Sequence, residues 1–289
     1  MADKTNRRDF LKAAAVTSFV APYIGGSNAE ALPPAMTDAT PNSRQAVLRL
    51  GKVERWGIFE TAWSNHKNYS NPFTDVTLKA HFRCNGTQLS VNGFYDGNDT
   101  WRIRLMPTVV GRWTFVTESN VLDLNGKQGS FECVAPGPDN HGPVYVARQL
   151  QFSYADGTPF FPLGTTLYNW AHRGRALQEE TLATLRANPF TKVRFMVFPK
   201  WYLYNRVEPP MFPYLRKADG TFDYMQFNPA YFQNIERCVS NLNALGIQAD
   251  LILFDPYNKP DWGFASMSPA QDDAYLRYVV TRLAPYRNV

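Results

Sequence analysis

The sequence is short of several features that would decide its class at once. Its 289 residues contain no apolar run as long as the ~18–20 residues that a membrane-spanning helix needs. Three cysteines are too few for a scaffold held together by disulfides. No G-x-G-x-x-G or G-x-x-x-x-G-K motif follows a predicted strand, so the nucleotide-binding folds that these motifs mark are excluded.

Charge and histidine content also point to no special partner. The 30 Lys and Arg exceed the 25 Asp and Glu by a net charge of only +5, spread along the chain, so we expect no nucleic-acid partner. The four histidines show no spacing typical of metal ligands, and we expect neither a metal nor a cofactor. The sequence leaves the oligomeric state open. The histidines are His66, His81, His141 and His172.

Aromatic residues, in contrast, are plentiful at 15% of the chain, with 7 Trp, 15 Tyr and 20 Phe. With 44% hydrophobic and 19% charged residues, the chain can bury a sizeable core and is not disordered. Trp and Tyr suit both cores and flat polar ligands such as sugars. We expect Cys84, Cys133 and Cys238 to be buried thiols, although Cys84 and Cys133 could pair in an oxidising compartment.

The N-terminus has the order of an export signal. Arg7 and Arg8 precede an apolar stretch at residues 13–20, and Ala29 and Ala31 supply small residues for cleavage. The paired arginines followed by Phe-Leu-Lys resemble the twin-arginine type. We therefore expect a twin-arginine signal peptide at residues 1–31, a linker at residues 32–45, and a periplasmic or secreted protein with no other membrane contact.

Residues 46–145 have the pattern of an antiparallel, Ig-like β-sandwich. Apolar residues from Val76 to Phe82 alternate with polar ones, which is the period of a strand with one buried face. Turn signals separate several such runs. Trp56, Glu60 and Trp63 could form a sugar-binding patch here, but packing in the sandwich core is the favoured interpretation.

From residue 146 onward, strand and helix patterns alternate, which predicts a parallel sheet covered by helices. The predicted strands are residues 163–166, 193–198 and 247–254, with helices between them, a long loop at 199–228 and a fourth strand beginning at Asn288. Asp156-Gly157 predicts a hairpin before the first of these strands. Asn228 before Pro229 and the capping box from Ser268 to Gln271 each predict the start of a helix. A doubly wound sheet and a (β/α)8 TIM barrel both fit this order. A barrel needs roughly 250 residues, so we interpret residues 146–289 as the truncated first half of one. A compact α/β domain that is not a barrel is the alternative.

Barrel enzymes bind substrates at the carboxyl ends of their strands, and polar and aromatic residues follow the predicted strands here. For the tryptophans the alternative is core packing, and His172 is interpreted as a solvated loop residue. Asp250 is expected to be structural, and Glu179, Glu180, Asp272 and Asp273 to oppose helix dipoles. The candidate substrate-binding residues are Asn169, Trp170, Lys200, Trp201, Asp255 and Tyr257.

Several stretches resemble a known family. Pro107–Phe115 and 129–133 are similar to the N-terminal domain of unknown function of many bacterial proteins assigned as glycoside hydrolases. Pro162–Thr166, 193–199, 253–257 and 273–289 are similar to their apiosidase-like, retaining-type (β/α)8 catalytic domain. Asp255 departs from the His that we expect in many relatives.

The resemblance implies a glycosidase with two catalytic carboxyl groups. An Asn-Glu pair on the fourth strand would supply the acid/base, and a Glu near strand seven the nucleophile. The sequence reaches Asn288-Val289 just before that pair is expected, so we assign no catalytic residue. We expect the full-length form to hydrolyse O-glycosidic bonds of a plant or microbial polysaccharide, and this chain to be inactive. The alternative is a non-catalytic carbohydrate-binding or surface-adhesion module.

Overall fold

The structure, a computed structural model, describes residues 48–255 and 259–289. The predicted signal peptide, the linker and Tyr257 lie outside the described residues. No helix in the described ranges is long and apolar enough to cross a membrane.

The first part of the chain forms eight strands in two facing sheets. They are β1 (Leu48–Glu54), β2 (Phe59–Ser64), β3 (Leu78–Cys84), β4 (Thr87–Asn92), β5 (Phe94–Tyr95), β6 (Thr100–Leu105), β7 (Gly111–Ser119) and β8 (Gln128–Val134). One sheet has the order β1-β8-β7-β3-β4 and the other the order β2-β6-β5.

The two sheets share an aromatic core. Phe59 of β2 stacks on Phe131 of β8 with ring centroids 4.0 Å apart, and Phe82 of β3 meets the edge of the Phe59 ring at 5.8 Å. In β3 every second residue is buried, as the period of two predicts. Trp63 packs against this core, which confirms its interpretation as a packing residue. Trp56 is also buried, at 7% exposed, but it lies outside this core, next to Gly142.

The expectation of a wholly antiparallel sandwich is wrong at one pair. Strand β1 runs parallel to β8. These are the first and last strands of the sandwich, so no hairpin joins them and no tight turn imposes an antiparallel direction.

The second part combines two small antiparallel sheets with a parallel one. Its strands are β9 (Val144–Arg148), β10 (Gln151–Tyr154), β11 (Pro159–Phe160), β12 (Gly164–Thr166), β13 (Lys192–Met196), β14 (Tyr214–Arg216), β15 (Phe222–Phe227) and β16 (Gln248–Ile252), and its helices are α1 (Arg175–Arg186), α2 (Pro229–Ala244) and α3 (Pro269–Leu283). Strands β12, β13 and β16 are parallel neighbours in that order. The predicted alternation of strands and helices is therefore present.

Local sequence signals explain most of the boundaries. Ser268 accepts a hydrogen bond from the Gln271 backbone while the Gln271 side chain accepts one from the Ser268 N–H, so the predicted capping box begins α3. Gly246, with φ at +70°, follows α2. Asn228 stands before Pro229 as predicted, but its side chain donates to the Phe212 carbonyl at 3.0 Å instead of capping the helix.

One predicted loop and one predicted strand need correction. Residues 199–228, predicted as one long loop, contain the β14–β15 hairpin. Its turn carries Asp219-Gly220, with Gly220 at φ +85°, the same signal that correctly predicted the β10–β11 hairpin at Asp156-Gly157. At the predicted fourth strand no strand is assigned, although the Asn288 carbonyl accepts a hydrogen bond of 2.6 Å from Ala249 of β16.

A ring of six charged side chains joins the sandwich to helices α2 and α3. Carboxylates and guanidinium groups alternate around it, with nitrogen–oxygen distances between neighbours of 2.5 to 2.8 Å. In order, the members of this charge ring are Glu60, Arg102, Asp96, Arg282, Glu236 and Arg104, and Arg104 returns to Glu60.

Because the charge ring is buried, its stability requires all six members. The Arg282 side chain is 0% exposed and Asp96 6%, while three positive charges balance three negative ones. Arg282 also lies over the Phe94 ring, 4.5 Å from its centroid. Buried charges are tolerated when they are paired, so removing one member leaves another charge buried without its partner.

We predict that Arg282→Met lowers the free energy of unfolding by about 3–5 kcal/mol, because Asp96 and Glu236 would keep buried charges without their shared cation. Arg175→Met is the matched control, since it removes an exposed pair with Glu179 on α1 and should cost less than about 1 kcal/mol. Urea unfolding of both variants measures the difference. Equal losses would contradict the assigned role of the charge ring.

The three cysteines are buried free thiols, as the sequence predicts. Burial raises the pKa of the Cys133 thiol to about 11 and that of the Cys238 thiol to about 12, which disfavours the reactive thiolate. We predict that the denatured, unreduced protein reacts with iodoacetamide at all three cysteines. An intact mass lower by two hydrogens would instead reveal a disulfide.

Candidate functional site

The segments that follow β12, β13 and β16 lie together because parallel strands end at the same edge of the sheet. Asn169, after β12, ties two of these segments together. Its side-chain amide donates to the Lys200 carbonyl at 3.0 Å and its side-chain oxygen accepts from the Lys200 N–H at 2.9 Å. This pair of bonds sets the register between the two segments at the predicted site.

Aromatic rings and lysine ammonium groups form the accessible part of this edge, which we call the strand-end surface (Tyr168, Lys200, Trp201, Tyr202 and Lys259). The Lys200 ammonium lies 4.3 Å from the centroid of the Tyr168 ring and 5.1 Å from that of Tyr202. The Lys259 ammonium lies 4.8 Å from the Trp201 ring. These groups offer flat apolar faces beside hydrogen-bond donors, which suits a polyhydroxylated ligand.

Of the predicted tryptophans, only Trp201 belongs to this surface. Trp201 is partly buried and meets Trp262 edge-on, with centroids 6.2 Å apart. Trp170 is 5% exposed, packs against Phe195 and donates its indole N–H to the Gln178 carbonyl at 3.2 Å. Trp170 therefore lies in the core, which is the packing alternative considered for it.

His172 is the clearest correction. The sequence predicts a solvated loop residue at this position, but His172 is 5% exposed. One ring nitrogen lies 2.9 Å from the Met196 carbonyl and the other 3.2 Å from the Tyr231 hydroxyl. The His172 and Tyr231 rings are nearly parallel, with centroids 5.6 Å apart. Packing by α2 buries His172, and the local sequence contains no sign of that contact.

Burial determines the protonation states of His172 and Tyr231. Desolvation lowers the pKa of His172 from 6.5 to about 4, against the opposing effect of the Met196 and Phe198 backbones. Burial likewise raises the pKa of Tyr231 far above its usual value, and the Tyr231 hydroxyl donates to the Val197 carbonyl. Both side chains are therefore neutral at neutral pH and hold the segment after β13 in place.

Of two acidic residues in and after β16, Asp255 lies at the candidate site and Asp250 has a structural role. Asp255, after β16, is 4% exposed at the strand ends, while Tyr257 lies outside the described residues. Asp250 accepts from Lys192 at 2.8 Å and Arg194 at 2.9 Å. These two contacts outweigh desolvation and lower the pKa of Asp250, so it has the structural role that was expected.

Three of the four helix acids lie beyond the first helical turn, which contradicts the dipole interpretation for them. Helix α1 begins at Arg175, which places Glu179 beyond the first turn, where it pairs with Arg175 at 3.1 Å. Glu180 also lies beyond that turn. Asp272 does lie in the first turn of α3, and Asp273 pairs with Arg277 at 3.0 Å.

Within 48–255 and 259–289, no group of three or more His, Cys, Asp or Glu side chains could hold a metal ion. Lys259 was missed by the sequence reasoning. It joins the surface through Trp201 and through Glu208, whose carboxylate accepts from it at 2.7 Å, and both contacts depend on how the loops fold back.

Comparison with known proteins agrees with this arrangement of a sandwich followed by an α/β part. Residues 52–120 match a domain of unknown function, DUF5060, and residues 147–289 match the apiosidase-like catalytic domain. No curated protein matches the chain.

One solved structure is similar over most of the chain. It is a protein from Bacteroides vulgatus provisionally assigned as a glycoside hydrolase, with 43% sequence identity and a TM-score of 0.78 over 83% of this chain and 48% of that protein. This chain thus spans about half the length of that relative. A family 5 glycoside hydrolase from the same organism has 16% identity and a TM-score of 0.38 over 52% of this chain and 32% of its own, too low to support an argument.

The fold therefore has two parts, a β-sandwich followed by an α/β part. With both family matches and the similar B. vulgatus structure, the chain belongs with the glycoside hydrolase-like proteins that carry DUF5060 before an apiosidase-like domain.

We predict that His172 makes stability depend on pH between about 6.5 and 4. The unfolded chain binds a proton there that the folded chain does not, so stability falls as pH falls, by on the order of 3 kcal/mol for a shift of this size. His172→Gln should flatten this part of the profile. His66→Gln, an exposed control, should not, and a profile unchanged by His172→Gln would refute the assignment.

Proposed function

We propose that this chain is the first part of an exported glycoside hydrolase whose full-length form cleaves O-glycosidic bonds in a plant or microbial polysaccharide. The observation that carries the proposal is the strand-end surface, with Lys200 and Trp201, together with the buried Asn169 and Asp255 beside it after the same set of parallel strands. In (β/α)8 enzymes this edge of the sheet holds the active site.

In this proposal β12, β13 and β16 are the first three strands of a (β/α)8 barrel. Their order in the sheet follows their order in the chain, and a helix separates each strand from the next. The hydrogen bond from Ala249 to the Asn288 carbonyl falls on the outer edge of β16, where a fourth strand would pair. The B. vulgatus protein, of which this chain covers 48%, is long enough to hold the remaining strands.

Within this proposal the chain supplies binding groups and the missing half of the barrel supplies the catalytic carboxyl groups. Glycoside hydrolysis needs one carboxyl group to protonate the leaving oxygen and a second to attack the anomeric carbon or to activate water. Trp201 would stack on a sugar face, and Lys200 and Asp255 would bond its hydroxyls.

We expect the 289-residue chain to release no nitrophenol from a panel of p-nitrophenyl glycosides of the common pentoses and hexoses. A chimera that continues it with the remaining C-terminal part of the B. vulgatus protein should hydrolyse at least one of them. Turnover by the 289-residue chain, or inactivity of a folded chimera across the panel and on pectin, xylan and arabinogalactan, would contradict the proposal.

In the active chimera, Trp201→Ala should raise KM about tenfold with a smaller change in kcat, because a lost stacking contact of about 1.4 kcal/mol corresponds to that factor. Tyr145→Ala is the matched control, since Tyr145 is an exposed aromatic residue on β9, outside the strand-end surface. An equal effect of the two changes on KM would remove Trp201 from the substrate site.

A further inference from the structure

A cavity lies at the opposite end of the parallel sheet from the strand-end surface. Its volume is about 50 Å³, and it opens between the segment that follows the sandwich, the β10 strand and the end of α2. Gln248, the first residue of β16, marks the amino end of the sheet here. The polar side chains that line this junction cavity are those of Asp139, His141, Tyr154, Asn243, Gln248 and Arg287.

Arg287 gives the junction cavity its main unsatisfied hydrogen-bonding capacity. Burial lowers the pKa of its guanidinium group, and the Glu54 carboxylate opposes this effect from a distance. Glu54 is itself engaged by the Asn140 side-chain amide at 2.9 Å. In the described ranges the Arg287 guanidinium donates no hydrogen bond to another residue, and its five N–H donors therefore remain for water or a ligand.

The rest of the lining narrows the class of ligand. Asp156 holds the His141 ring through a 2.7 Å contact, and the His141 and Tyr154 rings lie with centroids 5.4 Å apart. Carboxylates of Glu54, Asp139 and Asp156 accompany the single Arg287 cation, so the surroundings do not favour an anion. Mixed donors and acceptors beside an aromatic ring are the environment of a neutral polyhydroxylated molecule.

We propose that the junction cavity binds the edge of one neutral sugar residue, at a non-catalytic site separate from the strand-end surface. A cavity holds a water molecule when roughly 10–15 Å³ of its volume is open to a water-sized sphere, so this one has room for a few hydroxyl groups, which would replace water on Arg287 and Asn243. The sugar ring stays outside the cavity, against Tyr154. A carbohydrate held here contacts both the segment that follows the sandwich and the parallel sheet.

Saturation-transfer NMR on the 289-residue chain tests this site, with the methyl glycosides of xylose, arabinose, galactose and glucose as probes. At least one probe should receive saturation from the protein. Arg287→Gln and Asn243→Ala should each weaken its binding about fivefold or more. The exposed Arg186→Gln on α1 should leave that binding unchanged. Trp201→Ala, which removes the stacking residue of the strand-end surface, identifies any share of the saturation that arises there. Folding of each variant is checked by near-UV circular dichroism.

Absence of saturation transfer to all four probes would overturn the proposal and leave a cavity that holds water. Binding that persists in both Arg287→Gln and Asn243→Ala would overturn it as well. Binding lost in Trp201→Ala alone would place the sugar at the strand-end surface, which supports the proposed function and removes the second site. If the two cavity variants lose sugar binding while Trp201→Ala keeps it, the result supports the junction cavity as the binding site. This conclusion holds whatever the outcome of the hydrolysis assays.

Discussion

The closed charge ring between the sandwich and the two helices is the constraint on which the rest of the structure depends. Four of its members, Glu60, Asp96, Arg102 and Arg104, come from the sandwich, while Glu236 and Arg282 come from α2 and α3. Taking charges out of water is costly, and the attraction between partners offsets that cost only when the geometry is good. The alternating order meets this condition, because each member touches two opposite charges. The ring therefore specifies one arrangement of the two parts.

The strand-end surface inherits its geometry from this arrangement. Arg282 fixes the last turn of α3, and Tyr275 in the same helix donates its hydroxyl to the Leu253 carbonyl at 2.7 Å. The Tyr275 ring also stacks on Phe198 with centroids 4.4 Å apart. Leu253 and Phe198 lie two residues before Asp255 and Lys200, respectively. Helix α3, which is anchored on the sandwich, thus supports two of the three segments that form the strand-end surface. The sandwich therefore helps to position that surface.

Sequence reasoning recovers what is encoded locally. The period-two pattern of β3, the capping box at Ser268 and the Asp156-Gly157 turn are properties of neighbouring residues, and the structure contains all three. The order of strands and helices follows from the same kind of signal. The resemblance of the two parts to known domains also rests on continuous stretches, and both domains match.

What sequence reasoning misses depends on distant residues. Asp96 and Arg282 are 186 positions apart, and nothing near either one indicates that they meet. The neighbouring Arg173 suggests a solvated position for His172, but Tyr231 of α2 packs over the His172 ring. Trp170 stands at a strand end, as a cleft residue should, but its ring turns into the core against Phe195. The sequence thus indicates which residues follow a strand but not how deeply each of them is buried.

A double-mutant cycle between Asp96 and Arg282 tests the central claim that the charge ring couples the sandwich to the helices. The free energy of unfolding would be measured by urea denaturation for the 289-residue chain, for Asp96→Ala, for Arg282→Ala and for the double variant. The account predicts a coupling energy of at least about 1.5 kcal/mol, in the range of close, desolvated charge pairs. Single-variant losses that simply add, with a coupling energy below about 0.5 kcal/mol, would contradict it.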